Sequence, residues 1–179
     1  MPENILILGG NGFLGSYLAE FLKPHYRVDL TSTQGGPAYL QFDVLKNKFS
    51  ILDKYECVVN CMVSNQTDGD KNFNVNVKGT RSILEHLQNN KCHYINISSV
   101  FATPENFKEN NYSLTKHLTD EVVKSFEGRL LLKLTTLRFS QIYDAVGKAR
   151  KSQAGLFYFA EKIKNQEALT SSVKCLVRE

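Results

Sequence analysis

Apolar residues along this chain gather in short runs, with longer stretches of helical spacing between them. The runs at 4–8 (NILIL), 27–31 (RVDLT), 39–44 (YLQFDV), 56–63 (ECVVNCMV), 92–99 (CHYINISS) and 130–139 (LLLKLTTLRF) predict strands. The stretches at 13–22, 72–90, 112–126 and 155–166 predict helices, and in the third Leu114, Leu118, Val122 and Phe126 recur on one side. The strands are apolar on both parities rather than alternating, which fits a sheet covered on both faces. Strand–helix units repeated in this way predict an α/β fold, a doubly wound parallel sheet with helices on either side. The basic, polar stretch GKARKSQ (147–153) predicts a division into a main domain, 1–146, and a C-terminal helical piece, 147–179.

Composition adds little to this picture and removes several alternatives. The chain has 179 residues, enough for one well-packed domain, with 42% hydrophobic and 22% charged residues. A net charge of +4 is spread along the chain without a basic block, so nucleic acid is not an expected partner. No run reaches membrane-spanning length, and the first apolar run is too short for a signal peptide, so a cytoplasmic location is expected. Cys57, Cys61, Cys92 and Cys175 lack C-x-x-C spacing and His25, His86, His93 and His117 lack metal-ligand spacing, so neither zinc nor a disulfide framework is expected. The first two cysteines fall in an apolar stretch and read as buried thiols.

The first chemical signal is ILILGGNGFLG, in which Gly9, Gly12 and Gly15 follow a strand and open a helix. One glycine permits a tight turn, another lets the backbone approach a pyrophosphate, and the third lets helix and strand pack closely. The helix N-terminus offers unpaired N–H groups to the phosphates. This predicts a dinucleotide site. The acid that would hold a ribose 2′-hydroxyl is expected at the end of the second strand, where Ser32 stands between Thr31 and Thr33; Asp29 lies too early. Three hydroxyls without a carboxylate tilt the expected cofactor from NAD to NADP.

The second signal is Tyr112-x-x-x-Lys116 at the start of a predicted helix. Hydride transfer at a carbinol needs a proton moved at the oxygen, and a tyrosine does this when a nearby ammonium lowers its pKa. Residues four apart on a helix face the same way. Ser99 ends the preceding strand, thirteen residues before Tyr112, where its hydroxyl would orient the reacting oxygen. Ser98 is its alternative. A second pair, Tyr158 and Lys162, has Ala145 at the corresponding distance and reads as an apolar helix face.

These stations resemble those of the extended short-chain dehydrogenase/reductases, the group that holds nucleotide-sugar epimerases, dehydratases and reductases. Gly-Gly-x-Gly-Phe-Leu-Gly resembles that family's loop and implies cofactor contacts at Gly9, Asn11, Gly12, Phe13, Leu14 and Gly15. FDV (42–44) looks like the pair that meets the adenine, here Asp43 and Val44. VVNCMV (58–63) looks like the strand end that lines the ribose, here Cys61 and Met62. NVKGT (76–80) and LRFSQIYD (137–144) resemble two further family segments. The resemblance runs from about residue 3 to about 167 and implies a Rossmann-type fold. It also implies a Ser99–Tyr112–Lys116 set, with Tyr112 and Lys116 touching the cofactor as well. For Asn76 it implies support of a helix bend and an active-site water, against an ordinary polar helix residue. Arg138 reads as a structural charge.

The pattern departs from the family in two places. The segment 100–111 between serine and tyrosine is about half the usual length, and the substrate domain that follows the sixth strand in the family is expected to be truncated or absent here. Val100-Phe101 replaces the Asp-Glu pair of the family's dehydratases, which disfavours dehydration and points to the 4-dehydrorhamnose reductases and 4-epimerases. The expected function is therefore an NAD(P)-dependent reductase or epimerase of a nucleotide-linked sugar, possessing a homodimeric form by family analogy. The alternative is a dinucleotide-binding sensor or scaffold with little turnover.

Overall fold

A computed structural model describes residues 3–46, 48–106, 111–140, 142, 161–162 and 164–165. The chain divides into two compact units, Met1–Gln141 and Ile142–Glu179. The expected boundary at 146/147, most of the expected helix 155–166, Tyr158 and Cys175 lie outside the described residues.

The first unit is a six-stranded parallel sheet in the order β3-β2-β1-β4-β5-β6. Its strands are β1 (Asn4–Leu8), β2 (Arg27–Ser32), β3 (Leu40–Gln41), β4 (Cys57–Asn60), β5 (Cys92–Ser99) and β6 (Leu132–Phe139). Helices α1 (Phe13–Leu22), α2 (Gly69–Phe73), α3 (Gly79–Leu87) and α4 (Asn111–Lys124) connect them. The order reverses between β1 and β4, the place where α/β sheets of this kind open a crevice at the carboxyl ends of their strands.

Why the strands are apolar throughout is clear from the two cores. Leu6 and Leu8 of β1 and Val58 of β4 face a core closed by Ile83, Leu84 and Leu87 of α3 and Val123 of α4. Their neighbours Ile5, Ile7, Cys57 and Val59 face a second core closed by Leu14, Leu18 and Ala19 of α1. The period of two is present, but both parities meet apolar partners.

Three expected elements differ. The strand 39–44 shrinks to β3 because the Asp43 carboxylate accepts the Leu45 N–H at 3.1 Å and starts a 3-10 turn, Val44–Lys46. The strand 56–63 ends at Asn60, whose side chain accepts the Met62 N–H at 3.1 Å and turns the chain out of the sheet. The helix 72–90 starts earlier, at an Asp68 cap that accepts the Lys71 N–H. It is interrupted by a π segment, Asn74–Lys78, and ends at Leu87.

Helix α4 holds a further surprise. Its most buried positions include Ser113, Thr115, Lys116, Thr119 and Asp120, whereas Leu114, Leu118 and Val122 are only half-buried. Only the C-terminal end of the expected apolar side enters the core, where Phe126 is buried and Val122 packs beside it; along the rest of the helix a polar stripe is turned inward. Such a face is stable only if every polar group finds a partner.

Candidate active site

The turn after β1 carries the glycines. Gly9 has φ 72°, and a side chain there would press on the Cys61–Met62 backbone at 3.0–3.1 Å. Gly12 donates its N–H to the Gly9 carbonyl at 3.0 Å and stands at the N-cap of α1 in extended conformation. No side chain caps this helix and no acid stands in its first turn, which leaves its positive end open to an anion. Gly15 lies against the turn itself: an added Cβ would sit 2.5 Å from the Gly9 carbonyl oxygen. Gly10, the second glycine of the motif but not one of the expected contacts, is nearly as tight, with the Leu30 Cβ at 2.7 Å.

Beside this loop, a cleft of about 210 Å³ runs along the carboxyl ends of β1, β2 and β4. It is lined by Gly9, Asn11, Gly12, Thr31, Ser32, Thr33, Phe42, Asp43, Val44, Cys61, Met62, Val63 and Val75. Eight of the sequence-predicted cofactor residues are thus brought together in one cavity. Phe13 and Leu14 are not among its walls: Phe13 packs edge-on against Tyr17 and Leu14 against the α1 core. Their backbone N–H groups belong to the first turn of α1, where a helix leaves such donors without an intrahelical partner. Thr31 and Thr33, the hydroxyls expected on either side of Ser32, line the cleft too, as do Phe42 and Val63 from the FDV and VVNCMV segments; Val75 is the one wall residue outside the expected segments. It could have been singled out, since it sits one residue before Asn76 on a predicted helix.

The end of β2 carries no carboxylate into the cleft. Asp29 faces elsewhere and accepts the Tyr55 hydroxyl at 2.7 Å. Two of the three hydroxyls have partners: Thr31 accepts the Gly9 N–H at 3.3 Å and Ser32 donates to the Gly35 carbonyl at 3.1 Å. Thr33 is exposed.

Next to Cys61, four successive residues of β5 receive one face of α4. Ser99 hydrogen-bonds the Tyr112 hydroxyl. The Lys116 ammonium donates to the Ile97 carbonyl at 2.6 Å and lies 5.9 Å from the Tyr112 ring centroid. Asn96 and Ser98 both donate to Asp120, at 3.0 and 2.9 Å. Ser98 is therefore occupied by Asp120, and Ser99 is the hydroxyl at Tyr112. Arg138 reaches the same Asp120 carboxylate from β6 at 3.0 Å.

The electrostatics depart from expectation in one respect. Burial holds the Tyr112 phenol above its ordinary value; the Ser99 hydrogen bond favours the phenolate and opposes that shift. Lys116, only 6% exposed, is pushed below its ordinary value by burial, against the attraction of Asp120 and Cys61. The Tyr112 shift is set by burial and Ser99, and the Lys116 nitrogen donates to the Ile97 carbonyl.

Asn76 lies in the π segment and is buried. Its oxygen accepts the Ser64 N–H at 2.7 Å and its amide donates to the Ser64 carbonyl at 2.8 Å and to Thr115 at 3.2 Å. Thr119 donates to the Asn76 carbonyl at 3.0 Å. The side chain therefore ties the loop after β4 to α4 across the widened turn, as π segments near functional sites often do. Asn76→Ala is expected to orphan buried groups at Ser64 and Thr115 and to lower stability by about 3 kcal/mol. Urea denaturation checks this; a loss under about 0.5 kcal/mol, the usual span of surface substitutions, would refute it.

The sequence profile of the NAD dependent epimerase/dehydratase family matches residues 5–176. No curated protein matches the chain. Among solved structures, the UDP-glucuronic acid 4-epimerase of Bacillus cereus in complex with NAD superposes with a TM-score of 0.75. It is 18% identical over 93% of this chain and 64% of its own. The ADP-L-glycero-D-manno-heptose-6-epimerase of Helicobacter pylori gives 0.72, with 19% identity over the same shares, 93% and 64%. A short-chain dehydrogenase of Burkholderia cenocepacia in complex with NADP gives 0.66, with 16% identity over 80% of this chain and 74% of its own. The chain spans less than two thirds of the length of the two epimerases. At these identities the likeness establishes the fold.

Proposed function

The chain belongs to the NAD dependent epimerase/dehydratase family, and from that premise we propose that it is a nicotinamide-dependent reductase or epimerase of a nucleotide-linked sugar. The observation that carries this reading is the meeting of Ser99, Tyr112 and Lys116 at the carboxyl end of β5, adjoining the dinucleotide cleft. Cys61 joins the two: it lines the cleft and is one of the groups facing Lys116. In this reading the glycine loop and the open end of α1 hold the pyrophosphate, Asp43 and Val44 the adenine, and Cys61 and Met62 the ribose. The dinucleotide, when bound, supplies or accepts the hydride. Tyr112 moves the proton at the substrate oxygen, Ser99 orients that oxygen, and Lys116 contributes positive charge near the nicotinamide ribose. Relatives of this fold bind either NAD or NADP.

The cleft supports NADP(H) over NAD(H), since no carboxylate at the end of β2 would repel a 2′-phosphate. The preference is expected to be modest, because the Ser32 hydroxyl is engaged by Gly35. Calorimetric titration with both reduced dinucleotides should show NADPH binding tighter, by less than about tenfold, which is 1.4 kcal/mol. Tighter NADH binding would reverse the assignment. A cytoplasmic homodimer belongs to the same reading.

A second reading, a dinucleotide sensor with little turnover, is favoured by the raised Tyr112 phenol and by the direction of Lys116. The two are separated by following oxidation of NADPH or NADH over a panel of 4-keto nucleotide sugars, with product analysis for epimerisation, where the cofactor is regenerated. Turnover lost in Tyr112→Phe supports the enzyme. No turnover in either protein, with dinucleotide still bound, supports the sensor.

A further inference from the structure

The buried carboxylate of Asp120 takes no part in the proposed chemistry, yet it is among the most heavily bonded side chains of the described residues. It is 5% exposed. It accepts from Asn96 and Ser98 of β5 and from Arg138 of β6, whose own side chain is 58% exposed. It stands four residues after Lys116, as Lys116 stands four after Tyr112, so the three share one face of α4. That face docks on successive residues of β5: Asp120 on Asn96 and Ser98, Lys116 on the Ile97 carbonyl, Tyr112 on Ser99. Lys116 is otherwise poorly provided for, since the Ile97 carbonyl is a neutral acceptor. The charged and titratable groups facing it are Asp120 and Tyr112 of its own helix and Cys61 beyond β4, while Arg138 faces Asp120 from β6.

We propose that Asp120 is a positioning residue. It fixes the register of α4 on β5 and supplies the negative charge that faces the Lys116 ammonium, and Arg138 sets how much of that charge Lys116 receives. A buried ammonium loses its hydration and needs a nearby negative charge to remain charged. Arg138 competes for the same carboxylate, so it weakens that support while holding the carboxylate in place.

The proposal goes beyond the functional reading and is tested without a substrate. Proton binding at Lys116 is read in the full-length protein by NMR of 13Cε-labelled lysine, the resonance being assigned by its loss in Lys116→Met. In Asp120→Asn, proton binding at Lys116 is expected to weaken at least about tenfold, one pKa unit. In Arg138→Gln the shift is expected in the opposite direction, because Asp120 then faces Lys116 without a competitor. Both variants break the Asp120–Arg138 pair, so a purely structural role would move Lys116 the same way in both, or in neither. Either of those outcomes overturns the proposal. If Asp120→Asn does not fold, the sign in Arg138→Gln decides alone: a rise supports it, and no change or a fall refutes it. Asp120→Glu, which keeps the charge, is expected to restore the wild-type titration. Absence of sugar-nucleotide turnover would remove the proposed function and leave this result standing.

Discussion

Replacing Tyr112 with phenylalanine is expected to lower turnover by about 10²–10⁴-fold, the usual worth of a positioned general acid or base, while leaving dinucleotide affinity within a fewfold. The substitution removes one oxygen. The ring that Lys116 faces at 5.9 Å is retained, and the Ser99 hydroxyl still accepts the Phe101 N–H at 3.2 Å. A drop in turnover without loss of binding therefore isolates the proton at the reacting oxygen. The pH profile gives an independent check. Burial holds the Tyr112 phenol above its ordinary value, so the phenolate gains population only as pH rises. Oxidation of a sugar hydroxyl, which needs the phenolate as base, should accelerate with pH over the alkaline range. Reduction of a ketone, which needs the protonated phenol, should be flat through neutrality and fall once the phenol ionises. An oxidation rate independent of pH in the wild type would remove Tyr112 from the role of base.

The second large effect is expected at Gly15. In a helix, alanine is ordinarily about 1 kcal/mol better than glycine, so on propensity alone Gly15→Ala would stabilise the protein. The tertiary contact reverses the sign. The new methyl would sit 2.5 Å from the Gly9 carbonyl oxygen and 2.9 Å from the Gly10 Cα, both backbone atoms that cannot rotate aside. To relieve this, α1 must move off β1, and the glycine turn moves with it. We expect a net loss of about 2 kcal/mol in stability and about a hundredfold weaker dinucleotide binding, or 2.7 kcal/mol. Thermal unfolding and calorimetric titration measure the two. Gly128→Ala is the control. Its φ of 82° strains any other residue, but nothing lies within 4 Å of the added Cβ. It should cost about 1–2 kcal/mol with no change in binding. Equal binding losses in the two variants would show that general destabilisation, not the packing of α1, is responsible.

Much of the site lay close to the surface of the sequence. The glycines at 9, 12 and 15 can be read because strand, turn and helix N-terminus are consecutive, and so can the shared face of Tyr112 and Lys116. The pairing of this helix with Ser99 was harder. Side chains alternate along β5, so Asn96 and Ser98 fall on the face that α4 covers, while Ile95 and Ile97 pack on the other core. Parity alone would have chosen Ser98 for Tyr112. Ser99 serves instead because it is the last residue of the strand, where the chain is already turning toward Phe101.

Local rules thus determined the elements and their order: apolar runs with both parities filled, the glycine turn, and the four-residue spacing on α4. They follow from backbone geometry and from neighbours a few residues away, which are present in any window of the sequence. Tertiary structure decided the rest. It turned the polar stripe of α4 inward, gave Asp120 its partners on β5 and β6, engaged Ser32 with Gly35, and directed the Lys116 ammonium at the Ile97 carbonyl. Each of these depends on desolvation, and on which distant group meets a polar atom once water is excluded. The energy of a buried charge or hydrogen bond is set by that pairing and not by the residue's own neighbours in the chain.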